Sequence, residues 1–180
     1  MDDRLEAKRM QIVDQMKELG SHIEEGNDIE LLVWIIPRKL ACAHRPLRHH
    51  PWYGGSGITL PASAKTLLMD WIIQMREEGI KSIISFMHDG DLGCYSEMEL
   101  GGLDLLGFLE QQGFIVERLP WEDPAHKHTI QHLKRAKEAY MQRAALEAYD
   151  RLPKPVLLQC SAGRDRSAPV AVYIWQHRSE

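Results

Sequence analysis

The stretch Val156-Leu157-Leu158-Gln159-Cys160-Ser161-Ala162-Gly163-Arg164-Asp165-Arg166-Ser167 constrains this chain more than any other. An apolar run ends in a Cys, five residues separate that Cys from an Arg, and a second apolar run, 169–175, follows. This spacing predicts a strand stopping at Cys160, a loop over Ser161 to Asp165 curled around an anion, and a helix starting near Arg166. Backbone N–H groups and the positive end of the helix then aim at one point. Gly163 permits a turn that a Cβ would obstruct. The Arg166 guanidinium is a fork that can grip two oxygens of a phosphate at once. The same field favours a Cys160 thiolate, because helix N-termini and nearby cations bring a Cys pKa from about 8.5 down to roughly 3.5–7.5. The competing reading is a buried, inert Cys ahead of a surface Arg. It leaves the Ala-Gly inside the loop and the Ser after it without a reason.

A Cys and an Arg with five residues between them and a Ser next form the signature of the cysteine-dependent protein tyrosine and dual-specificity phosphatases. The chain resembles that family, in particular its small atypical dual-specificity members. The resemblance implies that Cys160 attacks phosphorus to form a cysteinyl-phosphate and that Arg166 holds the equatorial oxygens through both transition states. It also implies that the Ser167 hydroxyl bonds the Cys160 sulfur and helps it leave. Backbone N–H groups of Ser161, Ala162, Gly163, Arg164, Asp165 and Arg166 would line the cradle. Neither a metal nor a cofactor is implied. The family usually places His before the nucleophile, whereas this chain has Gln159. Gln cannot carry charge, so a less depressed Cys160 pKa and a slower enzyme or shifted pH optimum are expected.

Departure of an alkoxide calls for a placed acid, a contribution of about 10²–10⁴ in rate. Leu119-Pro120-Trp121-Glu122-Asp123-Pro124 resembles the family's mobile acid loop, and Asp123 has the family's spacing from Pro120; Glu122 is the alternative. Asp123 also reads as the cap of a helix beginning at Pro124, and both roles can hold together. A third stretch, Val33 to Pro46 with Trp34, Pro37, Leu40-Ala41 and Pro46, resembles the opening strand pair of the small atypical members. Together these stretches carry the resemblance over residues 31–177.

Hence an α/β fold is expected: a central, mostly parallel sheet flanked by helices, protein tyrosine phosphatase-like, with an extra N-terminal helix. Residues 1–30 are read as a helical extension packed on a single globular phosphatase domain, 31–180. Family members continue for one or two helices beyond the one after the phosphate loop, and the sequence here stops at Glu180. The Ile12, Met16, Leu19, Ile23 stripe must pack on something, so the N-terminal helix is expected to cover that surface, with a partner subunit as the other possibility.

The 180 residues, 44% hydrophobic and 27% charged, suffice for one sizeable core. No apolar run approaches the ~18 residues of a membrane span, and Met1-Asp2-Asp3-Arg4 opens a charged helix instead of a signal-peptide core. Three scattered cysteines fit a reducing cytoplasm. A net charge of −4 argues against nucleic acid as partner, yet the charge is uneven. Arg38, Lys39, Arg45 and Arg48, with His44, His49 and His50, lie in a stretch without an acid. His126, Lys127, His128, His132, Lys134, Arg135 and Lys137 crowd the region after the acid loop. Either cluster would steer an anion; the second reads equally well as a solvated helix face. The His pairs 49/50 and 126/128 lack a partner at zinc spacing.

Along the chain, helices are predicted at 3–25, 62–78, 97–112, 125–149 and 166–177, and strands at 31–36, 80–86, 114–119 and 156–160. Trp52 and Tyr53, in a loop over 46–57, are read as covering the edge of the core in preference to walling a cleft. The expected function is phosphomonoester hydrolysis on phosphotyrosine and on phosphoserine or phosphothreonine. A phosphoinositide or inositol-phosphate phosphatase with the same mechanism is the alternative, resting on the Arg164-Asp165 pair. A phosphate-binding pseudophosphatase or adaptor is a reading of another class, and a sulfurtransferase leaves the acid loop and Arg166 unexplained. The implied substrate is a phosphorylated protein or small molecule.

Overall fold

The computed structural model describes residues 3–27, 30–125 and 130–179. Five strands form one sheet: β1 (Val33–Ile36), β2 (Leu40–Ala43), β3 (Ser82–Ser85), β4 (Ile115–Arg118) and β5 (Val156–Gln159), in the order β1-β2-β5-β3-β4. Only β1 runs antiparallel to its neighbour, through the turn at Pro37 to Lys39; the other pairs are parallel. The fold is α/β. The helices are α1 (Asp3–Glu24), α2 (Lys65–Glu77), α3 (Asp89–Leu92), α4 (Leu105–Gln111), α5 (Gln131–Arg151) and α6 (Ser167–Arg178).

Strands β2, β3 and β5 are buried throughout, as expected for parallel strands covered on both faces. Alternation divides their side chains between two apolar layers. Leu40, Cys42, Ile84, Val156 and Leu158 meet α1, α5 and α6, whereas Ala41, Ala43, Ile83 and Leu157 meet α2, α4 and the loops around them. Helix α2 buries Leu68, Trp71, Ile72 and Met75, the spacing of a single helical stripe. It stops at Gly79, whose φ of +80° suits only Gly cheaply. Helix α1 buries Ile12, Met16 and Leu19 and packs on α6 and β1. No helix among the described residues is long and apolar enough to cross a membrane.

Three elements differ from the sequence expectation, the first being the short α3, which forms where no helix was expected. The helix expected over 97–112 begins only at Leu105, because Gly101 and Gly102 adopt φ of +69° and +77° and break any earlier turn. Asp104 then caps the shortened helix by accepting from the Gly107 N–H at 2.8 Å. Helix α5 starts at Gln131 and not at Ala125, which lies in a turn; His126, Lys127 and His128 fall outside the described residues. Trp52 does not cover the core: it is 85% exposed, while Tyr53 packs on the α2 layer.

Candidate active site

Strand β5 lies between β2 and β3, so its C-terminal end opens where the chain connections diverge to the two sides of the sheet. That is where parallel sheets present ligands. Cys160 follows the strand and is only 2% exposed. The loop then turns through Gly163, at φ +70°, and α6 begins at Ser167. The backbone conformation favours Gly here, and a Cβ at this position would meet the end of the flexible Met16 side chain of α1, which would have to shift. The Gly163 N–H points at the Cys160 sulfur, 3.1 Å away. Among the described residues, no backbone carbonyl takes up the N–H groups of Ser161, Ala162, Arg164 or Asp165. Unpaired donors lining a turn beside a helix N-terminus form a nest for an anion.

Arg166 is 1% exposed, and its charge is answered. Nη1 donates to Asp91 Oδ2 at 2.6 Å, to the Trp121 carbonyl at 3.0 Å and to that of Phe86 at 3.3 Å, while Nη2 donates to Asp91 Oδ1 at 3.3 Å. Asp91 is itself set by a reciprocal cap at the start of α3. The His88 N–H donates to its carboxylate and the Asp91 N–H donates to His88 Nδ1, both at 3.1 Å. Burial pushes the Asp91 carboxyl upward, but the hydrogen bond and charge of Arg166 outweigh it and hold Asp91 below the usual carboxylate range. Burial acts against Arg166 as well, and Asp91, the Cys160 charge and Asp123 turn the balance toward a raised pKa. This ion pair was not anticipated from sequence.

The segment 120–124 is held over this guanidinium. The Trp121 N–H donates to the Phe86 carbonyl at 3.1 Å, the Trp121 carbonyl accepts from Arg166, and its ring meets Phe86 edge-on. Asp123 and Glu122 both face a cleft of about 380 Å³ shared with Asp91, Cys94, Gly57 and Ser161. Asp123 Oδ1 accepts from the Ala125 N–H at 2.9 Å, a bond within the turn and not the helix cap expected there, because the helix begins later, at Gln131. The structure thus brings Cys160, Arg166, Asp123 and the loop Ser161 to Asp165 to one place. Ser167 is beside them and fully buried, but its hydroxyl makes no hydrogen bond among the described residues, to the Cys160 sulfur or elsewhere. The buried Gln159 amide likewise has no partner there. Cys42 shares a layer with Cys160, and its thiol is pushed up by burial first and by Cys160 second. It stays protonated, and all three cysteines are free.

Of the basic residues singled out in the sequence, Arg45 and Arg48 reach the loop. The Arg45 N–H donates to the Ser161 carbonyl at 3.0 Å, and Arg48 Nε to Ser161 Oγ at 3.3 Å. His132 and Arg135 stand on the exposed face of α5, whereas Lys134 donates to the Pro124 carbonyl at 3.0 Å and lines, with Lys137, a cavity shared with Glu122 and Asp123. Among the described residues no group of three His, Cys, Asp or Glu side chains is placed to hold a metal ion. No protein-family model matches the chain, and no curated protein matches it.

Proposed function

We propose that the protein hydrolyses phosphomonoesters through a cysteinyl-phosphate, on a fold of the protein tyrosine phosphatase kind. The observation that carries this reading is the convergence of the Cys160 sulfur, the Gly163 N–H and the Asp91-held Arg166 guanidinium at the end of β5. In the first step Cys160 sulfur bonds phosphorus as the ester P–O bond breaks, and Asp123 gives its proton to the leaving oxygen. In the second, water attacks phosphorus, Asp123 takes back a proton, and the S–P bond breaks to release orthophosphate and the thiolate. Arg166 and the loop N–H groups hold the equatorial oxygens in both steps. Nucleophile, charge and proton donor are all protein groups.

The test is hydrolysis of para-nitrophenyl phosphate by purified protein in excess chelator, with the acid-labile phosphocysteine trapped at Cys160. Full activity and a Cys160 adduct are expected. Activity lost in chelator and restored by a divalent ion would replace the thiolate mechanism.

The acid is assigned by leaving group. Asp123→Ala should lower kcat by about 10²–10⁴ on an alkyl phosphate and far less on an aryl phosphate, whose leaving oxygen needs little protonation. Glu122→Ala is the control. Were the leaving-group dependence to appear in the Glu122 variant instead, Glu122 would be the donor.

A further inference from the structure

The acid segment is fastened at two points. At its start, the Trp121 N–H donates to the Phe86 carbonyl at 3.1 Å and the Trp121 carbonyl accepts from Arg166 at 3.0 Å. At its end, Lys134 Nζ, reaching back ten positions from the first turn of α5, donates to the Pro124 carbonyl at 3.0 Å. That carbonyl and the Ala125 N–H belong to one peptide group, and the N–H donates to Asp123 Oδ1 at 2.9 Å. A planar trans peptide points its C=O and N–H in opposite directions. The ammonium at one end and the carboxylate at the other therefore form a single hydrogen-bonded chain, in which each bond polarises the next. The ring of Pro124 fixes φ, which leaves its ψ as the soft torsion that turns this peptide group. The bond from Lys134 stops that torsion.

Glu122 and Asp123 also stand between two cavities. On one side is the cleft shared with Asp91 and Ser161; on the other, a cavity of about 470 Å³ lies against α5, lined by Leu133, Lys134 and Lys137. Open space on the α5 side means that packing does not keep the Asp123 carboxyl over the cleft, and hydrogen bonds must. Lys137 is directed to the Tyr140 ring, 5.4 Å from its centroid, which leaves the peptide group to Lys134. We propose that Lys134 is a positioning residue for the proton donor: through the peptide between Pro124 and Ala125 it holds the Asp123 carboxyl toward the cleft shared with Ser161. The proposal deepens the phosphomonoesterase reading and rests on it for the donor role of Asp123. With Oδ1 accepting from Ala125, the proton passes from Oδ2 to the leaving oxygen, and Lys134 keeps its own proton and charge throughout.

The experiment pairs rates with a readout that does not depend on turnover. Lys134→Met keeps the apolar stem of the side chain and removes the donor. On glycerol 2-phosphate its kcat is expected to fall by up to about 10²-fold, the cost of a misplacement of about 1 Å. KM should be unmoved, because the Lys134 bond goes to the acid segment and not to the loop after Cys160. The loss on para-nitrophenyl phosphate should be much smaller, since its leaving oxygen needs little protonation. In an Asp123→Ala background the same substitution should add nothing, because the group it positions is gone. Lys134→Arg restores a donor and should recover most of the loss, whereas Arg135→Gln, on the exposed face of the same turn, should match the parent protein. Hydrogen exchange of the Ala125 amide, followed by NMR, should quicken in Lys134→Met and not in Arg135→Gln. No loss on glycerol 2-phosphate, an equal loss on both esters, a loss that persists without Asp123, or an Ala125 amide exchanging at the parent rate overturns the positioning role. If the parent protein hydrolyses neither ester while Lys134→Met still quickens exchange at Ala125, the phosphatase reading fails and the hold on Asp123 stands.

Discussion

Cys160→Ser is expected to lower turnover of para-nitrophenyl phosphate by about 10⁴–10⁶-fold, as removal of a covalent nucleophile does elsewhere. A serine hydroxyl stays protonated where a thiol ionises, and among the described residues no general base is hydrogen-bonded to position 160. The loop itself should survive, because its turn rests on the positive φ of Gly163 and on the Met16 contact, and a serine hydroxyl can accept the Gly163 N–H that the sulfur now takes. Orthophosphate binding should therefore persist, making the variant a trap. Titration of orthophosphate beside a turnover assay reads both quantities. Turnover within tenfold of the parent protein would move the nucleophile elsewhere, and joint loss of binding and turnover would mean that the sulfur shapes the cradle.

Arg166→Lys is expected to lower kcat by about 10³–10⁵, the range found when a transition-state arginine is removed from phosphoryl transfer. An ammonium keeps the charge and loses the fork. It cannot reach both Asp91 oxygens and two backbone carbonyls and still present N–H groups to a phosphate. Asp91→Asn attacks the same arrangement from the other side. It leaves a buried guanidinium without its counter-charge, which costs about 3–5 kcal/mol in comparable sites and is measured by urea unfolding. The pH dependence has a definite sign. With its carboxyl pKa depressed by folding, Asp91 contributes stability that is present above the unfolded value of about 3.9 and is lost as pH falls through the lower folded value. The Asn variant should lack that acid-side loss, and an unfolding midpoint equal to that of the parent protein at neutral pH would show that the pair is not the main support of Arg166.

The loop after Cys160 was legible in the sequence because everything that defines it is local. The strand, the turn, the cation and the helix lie within twelve consecutive residues, and each type has one conformational use there. Asp91 was not legible. It lies 75 positions from Arg166, and only the parallel pairing of β3 with β5 brings the ends of those strands together. Its sequence trace, the His88-to-Asp91 cap after an apolar run, resembles any loop start. Helix α4 was misjudged in length because an apolar period running across Gly101-Gly102 looks helical until the positive φ angles break it. Trp52 failed for a different reason: an aromatic in a Pro- and Gly-rich loop is assigned to the core by its type, and this loop folds back on itself through the Gly54 and Gly55 N–H bonds and leaves the ring outside. For Ser167, sequence supplied the position beside the sulfur and not the direction of the hydroxyl, which is a single torsion.

The contact of Met16 with Gly163 links the loop after Cys160 to the first helix of the chain. The floor beneath the turn is a thioether, a flexible and oxidisable group that fills gaps without fixing them. Conversion of Met16 to its sulfoxide would place a polar oxygen where the side chain lies against the Gly163 turn. The segment before residue 30, which the resemblance does not cover, therefore supplies part of the floor on which the loop rests.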